Sequence, residues 1–125
     1  MESELFRTGF ENRKAVLGAA HVEKSWNNAD AFNKPIQELV TEYCWGAIWG
    51  RAGLPHATRS MLNIAMLAVM GKQHELKAHV QGARRNGVTV EEIQEILMQV
   101  AIYGGVPAAL EAFRTASEAL KDFKE

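Results

Sequence analysis

Apolar positions recur along most of this chain at the three- and four-residue spacing of an α-helix, and prolines at 35, 55 and 107 divide that pattern into segments. Each proline stands where a helix can begin, the position at which its missing N–H costs least. From Pro35, the residues Ile36, Leu39, Val40, Tyr43 and Ala47 predict an amphipathic helix ending near Gly50-Arg51-Ala52-Gly53, with Trp45, Ile48 and Trp49 widening its apolar side. Residues 61–70 contain only one polar side chain, Asn63. A helix that is apolar all round is expected to be buried, and this one is too short to cross a bilayer.

Gly71 permits a break, after which a charged segment predicts a helix over Lys72–Arg85 that stops at Asn86-Gly87, a pair suited to a C-cap. Thr89 and Glu92 have the spacing of a capping box and open a helix with Ile93, Ile96, Leu97, Val100 and Ala101 as its core stripe. Gly104-Gly105-Val106-Pro107 closes that helix, and Ala109, Phe113, Ala116, Leu120 and Phe123 mark a final one. Phe6 to Leu17 forms a further helix candidate, and the polar residues 27–33 read as a loop. No run of alternating β-branched residues competes with these assignments. The expected fold class is therefore all-α, a single domain over residues 1–125 with about six to seven helices around one core.

Charge and cysteine content narrow the function classes. A net charge of -1 gives no electrostatic footprint for nucleic acid. The first residues lack the apolar stretch of a secretory signal, which makes the cytoplasm the expected compartment. Cys44 is the single cysteine, so neither an internal disulfide nor a dithiol pair can form. Between Tyr43 and Trp45 it is expected to be a packed, inert thiol.

The richest chemistry lies in "GKQHELKAH", residues 71–79. His74 and His79 are five apart, which rotates them by about 140° on a helix, so they cannot converge on one metal as the histidines of a zinc-protease helix do. Lys72, Glu75 and His79 instead share a face, with Glu75 and His79 a direct i,i+4 pair. A histidine held by a carboxylate one turn away can exchange protons near neutral pH, and it can equally be a partly buried structural histidine. His74 and Lys77 point elsewhere and are expected to face solvent. Arg59 stands just before the apolar run and Arg51 on the preceding loop; they are candidates for an anion site or for structural ion pairs. Glu42 lies one turn ahead of Trp45 and Trp49, where burial would raise its pKa unless it simply faces water.

The stretch "EYCWGAIWGRAGLPHATRSMLNIAMLAVMGKQHELKAH", followed by "GARRNGVTVEEIQEILMQVAIYGGVPAALEAF", resembles the carboxymuconolactone decarboxylase family, most densely over residues 32–114. The resemblance implies an alkylhydroperoxidase D-like helical bundle. In the redox members of that superfamily the helix carries Gly-Cys-x-x-Cys-x-x-x-His; here Gly71 and His79 match, while the cysteine positions fall on Lys72 and Glu75. The family often has a cysteine where this chain has Gly104, which removes any role for a thiol at that position.

The implied reaction is cofactor-free loss of carbon dioxide from 4-carboxymuconolactone, giving 3-oxoadipate enol-lactone in the protocatechuate branch of aromatic catabolism. The lactone supplies its own electron sink, so no cofactor and no metal are expected. The resemblance then implies His79 as the proton-transferring group and Glu75 as its orienting partner, with Arg51 and Arg59 binding the substrate's anionic groups. Trp45 and Trp49 would form an apolar wall, and Glu42 and Lys72 are secondary substrate-binding candidates. It also implies a ring-like homo-oligomer, a hexamer, with a small-molecule substrate and neither nucleic acid nor membrane as partner. The alternatives are a thiol-dependent antioxidant protein and a non-enzymatic helical oligomer module.

Overall fold

The computed structural model describes residues 3–124, and among them all regular structure is helical. These residues fall into two compact units, the first ending at Leu54 and the second beginning at Pro55. The single core expected from chain length is replaced by two buried apolar clusters. Residues 50–55 are non-helical and exposed, so no side chain of that connection extends either cluster.

In the first unit, α1 (Glu4–Leu17) starts at Ser3, whose hydroxyl oxygen accepts the Phe6 N–H at 2.9 Å. It ends at Gly18, where a φ of 93° turns the chain directly into α2 (Ala19–Asn27). The sequence pattern did not predict α2, a short helix that buries only Val22 fully. After the loop of residues 28–33, α3 (Lys34–Leu39) has Pro35 in its first turn and runs without a break into a π-helical segment, Val40–Ile48.

That π segment overturns the apolar stripe expected after Pro35. Backbone N–H groups there pair five residues back, as Trp49 does with Cys44 at 3.0 Å. The widened turns align residues four apart, so the inner face is Thr41, Trp45 and Trp49. Ile36, Leu39 and Tyr43 are turned outward and more than half exposed. The two tryptophan rings stack at 4.7 Å between centroids and pack on Val16, with Cys44 beside them.

α1 meets the π segment through glycines. A methyl group at Gly9 would collide with the Thr41 carbonyl oxygen and lie 2.8 Å from the Gly46 nitrogen, while one at Gly46 would lie 2.6 Å from the Leu5 carbonyl oxygen. Only hydrogen at these positions lets the two backbones approach so closely.

The second unit is a four-helix arrangement of α4 (His56–Met70), α5 (Gln73–Arg85), α6 (Val90–Tyr103) and α7 (Val106–Asp122). Gly71, at φ 71°, gives the expected break between α4 and α5. The Thr89–Glu92 capping box is formed, with bonds of 2.9 and 3.0 Å. The core joins Ile64 and Ala68 of α4, Leu76, Val80 and Ala83 of α5, and Ile93, Leu97 and Val100 of α6. α7 contributes Ala109, Ala112, Ala116 and Ala119, an alanine face that lets its neighbours pack close.

The expected full burial of residues 61–70 does not hold. Ile64 and Ala68 are enclosed, but Leu62, Met66, Val69 and Met70 are each about half exposed, because α4 packs on its neighbours along one side only. Lys72 does not join the α5 stripe on which its spacing places it. It is the N-cap, with non-helical φ and ψ of -89° and 76°, so its side chain does not continue the Glu75–His79 face.

Gly9→Ala is expected to destabilise the protein by about 3 kcal/mol in urea denaturation, since overpacking against backbone outweighs the alanine's better helix propensity. Gly53→Ala, where an added methyl group meets nothing within 4 Å, is expected to stay within about 0.5 kcal/mol of the native protein.

Candidate functional site

α5 brings the sequence-predicted pair together. Its buried stripe, Leu76, Val80 and Ala83, draws the adjacent His79 inward, while Glu75 stays exposed one turn earlier. The Nδ1 atom of His79 is fully enclosed by protein. Burial lowers the His79 pKa to about 4; the Glu75 carboxylate acts in the opposite sense and is outweighed. The imidazole is therefore neutral at pH 7. Proton exchange near neutral pH, expected from spacing alone, is opposed by this burial.

Arg59 lies in the first turn of α4 and is partly buried, its Nε enclosed by protein. The next residue, Ser60, is completely buried, and its hydroxyl oxygen accepts a 2.8 Å hydrogen bond from the side-chain amide of Asn86. This ties the C-cap of the His79 helix to the first turn of the Arg59 helix. The sequence marks Asn86 only as a C-cap residue and carries no signal for its link to Ser60, 26 residues away. Lys72 is exposed at the start of α5. Lys77 joins Glu118 and Asp122 of α7 at 2.9 Å each, an exposed tie rather than a site.

In the first unit the candidates are dispersed. Trp45 and Trp49 are core residues, 5% and 3% exposed, so within this unit they act first as packing. Arg51 is exposed on the connection after the π segment. Glu42 does not face the Trp45–Trp49 pair as expected. It accepts a 2.6 Å hydrogen bond from the Ser3 hydroxyl and borders a cleft of about 540 Å³ with Phe6, Arg7, Trp26 and Lys34. The π register turns it there, away from the inner face.

A buried cation was missed. Arg13 is 9% exposed, and its Nη1 donates to Gln37 Oε1 at 2.9 Å and to Thr41 Oγ1 at 3.2 Å. Burial lowers its pKa, and nearby Cys44 acts weakly in the other direction. The sequence did carry a signal, since Arg13 falls in the spacing of Phe6, Gly9 and Val16, the inner face of α1. Cys44 itself is half-buried, and burial raises its pKa despite Arg13, which agrees with the inert thiol expected.

Among the described residues, no group of three or more His, Cys, Asp or Glu side chains is placed to hold a metal ion. No helix among them is long and apolar enough to cross a membrane.

Comparison with known proteins bears on this arrangement. The profile of the carboxymuconolactone decarboxylase family matches residues 34–118. A 4-carboxymuconolactone decarboxylase of Acinetobacter baylyi is 37% identical over 121 residues, covering 97% of this chain and 90% of the relative. A nitrosuccinic acid decarboxylase of Metarhizium robertsii is 38% identical over 122 residues, covering 98% of this chain and 85% of the relative.

The state of His79 has a consequence for stability. The unfolded imidazole takes up its proton near 6.5 and the folded one near 4, so between these values the unfolded state holds more protons. Stability is expected to fall as the pH drops from about 6.5 to about 4, by up to about 3 kcal/mol from this group. Urea denaturation at pH 7 and pH 5 should show a smaller loss for His79→Gln than for the native protein.

Proposed function

This chain belongs to the carboxymuconolactone decarboxylase family and is a carboxy-lyase; from that premise we propose that it converts 4-carboxymuconolactone to 3-oxoadipate enol-lactone and carbon dioxide without a cofactor. The observation that carries the reading is the relative of that name, 37% identical across 97% of the chain. The family match takes in residues 34–54 of the first unit and most of the second, and the Acinetobacter relative aligns with 97% of the chain, which supports treating the two units as one functional domain. The proposed setting is the cytoplasm, in protocatechuate breakdown.

The chemistry suits the residues available. Loss of the ring carboxylate leaves an electron pair conjugated through the ring double bond to the lactone carbonyl, forming a furanolate-like oxyanion. One proton must then be added at carbon: carboxylate plus proton gives the C–H bond and carbon dioxide. In this reading His79 delivers that proton and Glu75 supports its charged form. Neutral in the empty site, His79 takes up a proton as the dianionic substrate arrives, because nearby negative charge raises its pKa. Arg59 and Arg51 bind the acetate arm or the lactone oxygen. A cation on the departing carboxylate would instead stabilise the ground state and slow the reaction. Glu42, Lys72, Trp45 and Trp49 keep their places as secondary substrate-binding candidates.

The second relative favours a second reading. Nitrosuccinic acid carries its nitro group beside one carboxyl group of a succinate skeleton. It shares with the lactone a carbon that holds both the departing carboxylate and an electron sink, next to a CH2–carboxylate arm. A site that grips the arm and stabilises an oxyanion serves both. Parallel assays decide the matter: ultraviolet loss of the lactone with carbon dioxide release supports the first reading, and release only from nitrosuccinate replaces it with the second.

His79→Ala is expected to lower kcat by roughly 10²- to 10⁴-fold with little change in KM. Arg59→Ala is expected to raise KM chiefly if it holds the arm. In the native enzyme kcat/KM, which reports the empty site, should fall as the pH rises above about 4, while kcat holds to higher pH because bound substrate raises the His79 pKa. Equal pH profiles for the two parameters would remove His79 from the proton's path. Chelators are expected to leave the rate unchanged.

A further inference from the structure

The start of α4 and the end of α5 are joined by a side-chain hydrogen bond, donated by Asn86 Nδ2 to Ser60 Oγ at 2.8 Å. The end of α5 is closed without it. The Asn86 backbone N–H reaches the Gly82 carbonyl at 3.0 Å, that of Gly87 reaches Arg84 at 3.1 Å, and that of Val88 reaches Ala83 at 2.9 Å. Gly87, at a φ of 90°, supplies the left-handed turn, and Arg84 Nη1 donates to the Val88 carbonyl at 2.8 Å. The side chain of Asn86 is therefore spare. Ser60 in turn is completely enclosed, on a helix whose other buried residues are Ile64 and Ala68. A hydroxyl in such a place is costly unless it is hydrogen-bonded, and an alanine would avoid the cost.

The place of this tether gives it a use. α4 begins at Pro55, which has no side chain to cap the first turn, and an uncapped first turn is the part of a helix that opens most readily. Ser60 follows Arg59 directly, so a bond that holds Ser60 holds the backbone from which the Arg59 side chain springs. On α5, His79 and Asn86 are seven residues apart, which returns them to one line of the helix within about 20°. The line of α5 that carries His79 is thus the one that reaches the start of α4.

We infer that Ser60 and Asn86 are positioning residues for substrate binding: their bond holds the Arg59 turn against the His79 line of α5 before substrate arrives. The inference rests on the decarboxylase reading above, in which Arg59 holds the carboxylate arm. A guanidinium fork meets a carboxylate with two parallel hydrogen bonds only in a narrow range of orientations. Ordering the turn in advance removes part of the cost that binding would otherwise meet. A buried hydroxyl and a spare amide are what such a tether requires.

Steady-state kinetics test this, with whichever of the lactone and nitrosuccinate the native protein decarboxylates. Ser60→Ala and Asn86→Ala are each expected to raise KM by about 3- to 30-fold, with kcat within about twofold of native. In an Arg59→Ala background the same substitutions are expected to change KM by less than about twofold, because the group they position is gone. Asn86→Asp, whose carboxylate can accept the Ser60 hydroxyl, is expected to recover most of the lost affinity. A purely structural bond gives another pattern. A lower urea midpoint with native KM, or a KM change of equal size with and without Arg59, overturns the inference. If Ser60→Ala does not fold by circular dichroism, the two Asn86 variants decide by the same criteria. Native KM in Arg59→Ala overturns the inference and leaves the decarboxylase reading standing, whereas a native protein that turns over neither substrate overturns both.

Discussion

The inward packing of one face of α5 sets the protonation state of His79. Leu76, Val80 and Ala83 are fully enclosed, and the helix period places His79 at the edge of that stripe, about 40° from Ala83. Its imidazole thus leaves water because its apolar neighbours must. Desolvation penalises the charged ring, and an exposed carboxylate one turn away is too well screened by solvent to compensate. The outcome is a neutral, buried imidazole. A group in that state takes up a proton near neutral pH only if negative charge enters its surroundings.

The first unit obeys a related constraint from backbone geometry. Close approach of α1 and the π segment requires hydrogen at Gly9 and Gly46, and it leaves Arg13 enclosed with them. The guanidinium finds an amide oxygen and a hydroxyl oxygen, and such neutral acceptors offset part of the cost of removing a cation from water. Thr41 serves both functions: its hydroxyl donates to the Gln37 carbonyl at 2.7 Å while accepting from Arg13. Polar and apolar contacts here sit on the same few residues, so a change at one is felt at the others.

Much of the second unit was legible because its signals are local. Gly71 breaks the chain where a left-handed residue is needed, Asn86-Gly87 ends α5, and the Thr89–Glu92 box opens α6, each a matter of a few neighbouring residues. The first unit was less legible. An unbroken α3 and π segment offers the same apolar letters as an α-helix, and the hydrogen-bond register that turns Tyr43 out and Trp45 in is not written in their spacing. α2 escaped notice because it has one fully buried residue to show for nine.

For the candidate site, the sequence by itself determined the class of fold, the i,i+4 relation of Glu75 and His79, and the absence of a cysteine pair, since all three follow from residue identity and helical period. Only the tertiary structure decided that His79 is neutral, that Ser60 and Asn86 tie two helices, that Arg13 is buried and that half of α4 faces outward. The physical reason is common to all four. Desolvation and long-range hydrogen bonding depend on which distant segments close over a side chain, and a one-dimensional pattern carries which face of a helix is apolar but not what, if anything, covers it.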